Sequence, residues 1–121
     1  MKYLIVILLT LILTGCNEKN SVPLPTEKDV IRTFFSLINE KRIPEAIGMM
    51  DKSVVFDDSA KQAYGVQFNN FGTVTIKSID QTSESNKYKV VFDTDSGEDT
   101  RWITVVKIDN LWKISDIATG P

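Results

Sequence analysis

The one thiol in this 121-residue chain, Cys16, is its strongest side-chain nucleophile, and no second cysteine stands by to pair with it. An internal disulfide, a Cys-x-x-Cys redox pair and a structural zinc site are therefore excluded. The chain has no histidine, which removes His-based triads, imidazole metal ligands and histidine proton shuttles. Carboxylates gather in Asp93-Thr94-Asp95-Ser96-Gly97-Glu98-Asp99. A calcium loop of the EF-hand type wants glycine at its sixth position and a bidentate glutamate at its twelfth. Counted from Asp93, those positions hold Glu98 and Thr104. The run reads instead as a hairpin turn with a solvated acidic rim, and Asp57-Asp58 as a helix cap. No metal and no cofactor are expected. With 14 basic against 16 acidic residues and a formal charge of −2, a nucleic-acid partner is not expected either, since such binders carry a basic stripe.

Cys16 is positioned by the segment before it. Lys2 supplies a short positive start, and Tyr3 to Thr14 is apolar apart from two threonines. As a helix rising about 1.5 Å per residue it would span roughly 18 Å, short of a ~30 Å hydrocarbon core. It reads as the apolar region of a secretion signal rather than a permanent span. The run that follows, Leu13-Thr14-Gly15-Cys16, resembles the lipobox of bacterial lipoproteins. That resemblance implies cleavage between Gly15 and Cys16, loss of residues 1–15, and a diacylglyceryl group on the Cys16 sulfur. The chemistry suits the residue types: a small Gly15 lets a protease approach the backbone, and a thiolate is the best side-chain nucleophile for alkylation. Each buried acyl CH₂ contributes about 0.8 kcal/mol, so two or three chains anchor firmly. The expected location is bacterial and lipid-anchored, facing away from the cytoplasm: the outer face of a Gram-positive membrane, or the periplasm or outer membrane of a Gram-negative cell. Asn17 is not the aspartate that resembles an inner-membrane retention signal.

Residues 16–25 then read as lipidated cysteine and tether, polar and carrying Pro23 and Pro25, with an extended reach of about 30 Å. Residues 26–121 read as one domain. Thr26 with Asp29 forms a capping pattern ahead of an apolar stripe, Val30, Ile31, Phe34, Leu37 and Ile38, which predicts a helix. Lys41 and Arg42 are placed at its C-terminal end, where the dipole favours them. Pro44 predicts a short second helix to Met50. Asp57 or Asp58 caps a third, carrying Ala60, Ala63, Tyr64 and Phe68, interrupted by Gly65 and closed by Gly72. From Thr73 onward the pattern turns β-branched, and four strands are expected, the last two joined by a two-residue turn at Asp109-Asn110. The fold class is α+β, with two to three N-terminal helices packed on a curved four-stranded antiparallel sheet.

The stretch Phe34-Phe35-Ser36-Leu37-Ile38-Asn39-Glu40-Lys41-Arg42-Ile43-Pro44-Glu45-Ala46, with the terminal Val106-Lys107-Ile108-Asp109-Asn110-Leu111-Trp112-Lys113-Ile114, resembles the nuclear transport factor 2-like superfamily. That resemblance implies a cystatin-like α+β roll over about residues 26–118 and a pocket between sheet and helices. Some such rolls are isomerases or dehydratases, and a ketosteroid-isomerase-like chemistry would need a tyrosine and an aspartate with a raised pKa. Tyr64 and Asp116 are the nearest candidates. A tight Asp109-Asn110 turn pairs Trp112 with Lys107, Ile114 with Val105, and Asp116 with Ile103, which leaves Arg101 diagonal to Asp116 and ready to form a salt bridge. No catalytic residue carries over from the family, and the chain is not expected to be an enzyme.

The remaining candidates for a pocket or partner surface are aromatic: Phe34, Tyr64, Phe68, Trp102 and Trp112, together with Asp116. Core filling is the default for large apolar side chains in so small a domain. Both faces of the last hairpin are apolar, with Ile103, Val105, Trp112 and Ile114 on one and Trp102, Val106, Ile108, Leu111 and Ile117 on the other. The expected function is a lipid-anchored binding domain at the cell envelope. Its partner is the membrane through Cys16 and either an envelope protein or a small apolar ligand, an immunity or exclusion role being one form of this. The alternative is a small roll-fold enzyme using Asp116 and Tyr64.

Overall fold

A computed structural model describes residues 25–121. Helix α1 spans Glu27–Asn39 and begins with the reciprocal box the sequence predicts. The Asp29 N–H donates to the Thr26 hydroxyl at 3.2 Å, and the Thr26 N–H to the Asp29 carboxylate at 3.0 Å. That backbone hydrogen bond, with the hydroxyl beside it, holds the Asp29 carboxyl below its ordinary range. The buried face is Val30, Ile31, Phe34, Phe35 and Ile38; Leu37 of the expected stripe is only half-buried, and Phe35 takes its place in the core. Lys41 and Arg42 fall just beyond the last turn. Lys41 takes a positive φ of 64°, and its ammonium donates to the Gly72 carbonyl at 3.1 Å. The chain reverses there into α2, Ile43–Gly48, with Pro44 in its first turn. Helix α3, Asp58–Phe71, is capped by the Asp57 carboxylate, which accepts from the Ala60 N–H at 2.8 Å. Its buried anchors are Phe68 and Phe71.

Four strands follow: β1 Thr75–Gln81, β2 Lys87–Thr94, β3 Gly97–Ile108 and β4 Leu111–Ala118. They form an open antiparallel sheet in sequence order. The acidic run makes the β2–β3 turn, with Thr94 opposite Gly97. At the β3–β4 turn, Asp109 and Asn110 adopt φ of 52° and 65°, the left-handed pair that matches strand twist in a two-residue hairpin. One sheet face meets the helices. Val90, Phe92, Ile103, Val105 and Ile114 are each 0% exposed and join the α1 stripe and the α3 anchors in one core. The edge of β4 is partly covered: the Ile114 N–H donates to the Met49 carbonyl at 2.9 Å, and the Asp51 N–H to the Ile114 carbonyl at 2.7 Å, which blunts an otherwise open edge.

The expected register holds for the first rungs of the last hairpin and then fails. Trp112 faces Lys107 and Ile114 faces Val105, but Asp116 faces Thr104 and Ile117 faces Ile103. Ser115 is the extra residue of a bulge between these rungs, and its hydroxyl donates to the Thr104 carbonyl at 3.3 Å. Because side chains alternate faces, one inserted residue exchanges the faces of everything beyond it. Ile117 therefore joins the inner, helix-facing side, and Asp116 is turned to the outer one.

Candidate functional site

A concavity of about 920 Å³ lies between α2 and α3. Its floor is built by Ile43 and Ile47 of α2 and by Met50 and Val55 of the connecting segment, and Phe56 forms part of its wall. Two features keep it open. Helix α2 has only six residues, so it cannot cover the length of α3. Gly65 and Gly48, both lining the groove, present no side chains into it. A Cβ on Gly65 would lie 3.8 Å from Ile47 and 3.9 Å from Ile43, ordinary contact distances, so sterics do not require glycine there. In a helix interior glycine is about 1 kcal/mol less favourable than alanine. Gly65→Ala is therefore expected to raise stability, by up to about 1 kcal/mol, in urea unfolding followed by circular dichroism. A loss of stability would show that the helices meet too closely here for a methyl group.

The polar groups of the groove are Lys52, Lys61, Gln62 and Asn69, and no carboxylate lines it. Asn69 is occupied, donating through Nδ2 to the Gly65 carbonyl at 3.0 Å. Lys52 and Lys61 are exposed and take part in none of the ion pairs or side-chain hydrogen bonds found among the described residues. Of the neighbouring acids, Asp51 pairs with the Ser53 hydroxyl and Asp57 caps the N-terminus of α3, while Asp58 is exposed one turn before Lys61 and forms no ion pair with it. The groove is apolar below, and its only charged lining groups are the two lysines.

The aromatic and acidic candidates from the sequence fall in four different places. Phe34 and Phe68 are each 1% exposed, with ring centroids 5.3 Å apart. They are core, because the buried faces of α1 and α3 must seal the helical layer onto the sheet. Trp102 lies on the outer sheet face with the Lys89 ammonium 5.9 Å from its ring. Trp112 is half-buried against the core, and Lys107 approaches its ring at 5.6 Å. Tyr64 lines a smaller cleft of about 610 Å³ with Gln67, Arg101 and Ile117. Asp116 is exposed and does not line that cleft. The expected Asp116–Arg101 bridge is replaced by an Arg101–Asp99 pair at 3.2 Å, with the guanidinium 5.2 Å from the Phe71 ring centroid. The bulge at Ser115 is the cause. It moves Asp116 onto the face opposite Arg101, and Tyr64 and Asp116 are not brought together.

The groove residues escaped the sequence reading because Ile43, Ile47 and Met50 look like any short helical stripe. Phe56, followed by two aspartates just ahead of a helix, was the one visible sign of an apolar side chain with nothing to pack on. Among the described residues no group of three or more acidic or cysteine side chains is placed to hold a metal ion, and no helix is long and apolar enough to cross a membrane. Cys16 and Gly15 lie outside the described residues. Comparison with protein-family models, with curated proteins and with solved structures finds no match.

Proposed function

We propose that this chain is a lipid-anchored, non-enzymatic binding domain at the bacterial cell envelope, released from its signal between Gly15 and Cys16 and held by acyl chains on the Cys16 sulfur. The run Leu13-Thr14-Gly15-Cys16, with the only cysteine of the chain in the required place, supports the anchor. The observation that carries the binding role is the open apolar groove between α2 and α3. A concavity with an apolar lining and a few polar groups at its rim is the default place to look for a ligand. Its partner is an envelope protein or a small apolar ligand, and an immunity or exclusion role belongs to the same reading. The domain is read as a curved roll of the nuclear transport factor 2-like kind, on the strength of the helix–turn and terminal-hairpin patterns.

The anchor is tested by Cys16→Ser. The variant is expected to keep residues 1–15 and to lack the acyl mass, read by mass spectrometry and by partition into detergent. Unchanged processing, with unchanged lipid mass on the mature chain, would overturn the assignment.

A further inference from the structure

The groove between α2 and α3 has a polarity that narrows what it can hold. Phe56 is 74% exposed, more than any other large apolar side chain among the described residues. Covering such a ring removes apolar surface from water, at roughly 25 cal/mol per Å². The groove therefore favours an apolar occupant along Ile47 and Phe56. An uncharged apolar ligand would leave one feature unused. In a chain with more acidic than basic residues, both charged side chains of the groove are lysines, and neither has a carboxylate partner among the described residues. A lysine ammonium serves an anionic oxygen as a point charge without demanding a fixed geometry.

We infer that the groove takes a single-chain amphiphile with an anionic head, its chain lying along the apolar floor and its head paired with Lys52 and Lys61. This rests on the groove being the binding surface of the preceding section and adds the chemical class of the ligand. The volume, about 920 Å³, lies within the range of small-molecule sites. A chain held near a membrane surface by a short tether would meet such molecules there.

The test uses the full chain with its anchor, in bilayers of zwitterionic phosphatidylcholine. The probe is a long-chain carboxylate carrying a diazirine near its tail, and the products are mapped by mass spectrometry. Adducts are expected on the groove residues, about tenfold more with the carboxylate than with the matching alcohol, a difference of the size two exposed charge pairs contribute together. Lys52→Glu with Lys61→Glu is expected to abolish that preference, and Phe56→Ala to lower capture of both probes. All three side chains are exposed, so the fold is not at stake, and unchanged circular dichroism checks it. Equal labelling by carboxylate and alcohol, or adducts scattered outside the groove, would overturn the ligand class. If the groove captures no amphiphile yet a photoreactive residue at position 56 cross-links an envelope protein, this inference fails and the binding-domain reading stands. If the groove labels as expected but Cys16→Ser changes neither processing nor retention, the anchor fails and the ligand class stands.

Discussion

Gly72→Ala is expected to destabilise the domain by about 3 kcal/mol, the upper part of the range for a side chain forced into a sparsely populated backbone region. Gly72 ends α3 with φ 70° and ψ −128°, a combination that only glycine adopts without strain. A methyl group there would also sit 2.0 Å from the Asp95 carboxylate oxygen and 2.4 Å from its carbon. Asp95 is not free to retreat. Its carboxylate accepts from the Thr73 N–H at 3.1 Å, and its own N–H donates to the Phe71 carbonyl at 3.1 Å. This junction clamps the end of α3 to the β2–β3 turn, so relief on one side breaks hydrogen bonds on the other. For a domain of this size the loss corresponds to a Tm lower by about 15 °C, measurable by circular dichroism. Asp95→Ala removes the clash along with its hydrogen bond, so the double variant should cost clearly less than the sum of the singles. A Gly72→Ala change of less than about 1 kcal/mol would show that the junction yields, against this account.

Phe92→Ala is expected to cost about 4 kcal/mol, the magnitude of an aromatic truncation in a core that cannot collapse around the void. Phe92 is 0% exposed and projects from β2, one of the two middle strands of the sheet, into the helical layer. Its ring centroid lies 4.8 Å from that of Phe35 on α1 and 5.4 Å from that of Phe71 on α3. It is the side chain on which both long helices converge, so its removal loosens two interfaces at once. Against a total stability of about 5–15 kcal/mol for ordinary domains, this is a large share. Urea unfolding should show a lower midpoint at unchanged slope. Phe56→Ala is the matched control: the same residue type, largely exposed in the groove wall, is expected to stay within about 0.5 kcal/mol of the parent. Similar costs for the two would contradict the division between a sealed core and an open groove.

The helices were legible because their signals are local. The Thr26–Asp29 box, the Asp57 cap and the closing Gly72 each act within one turn of chain and appear where the sequence predicts them; the α1 stripe does so but for Leu37, which yields to Phe35. The four strands and the Asp109-Asn110 hairpin followed from β-branching and from a turn both residues tolerate. The position of Asp116 was not legible. The alternation through Trp112, Ile114 and Asp116 is regular in the sequence, and nothing in Ser115 announces the extra residue it becomes. A bulge is chosen by how two strands fit together and by what each must bury, here Ile117 beside Ile103.

Cys16 and the missing histidine stand as they did at the outset, because they bear on which atoms exist in the chain. By composition alone the sequence excluded imidazole chemistry and internal disulfides, and by short-range pattern it specified two to three helices followed by four strands. Only the tertiary structure decided which apolar residues are core and which line a groove. Ile47 and Phe56 carry the same hydrophobic signal as Ile38 and Phe34, but α2 is too short to cover α3 and Gly65 leaves no side chain between them. Burial is a property of what packs on top, and that is set by residues far away in the chain.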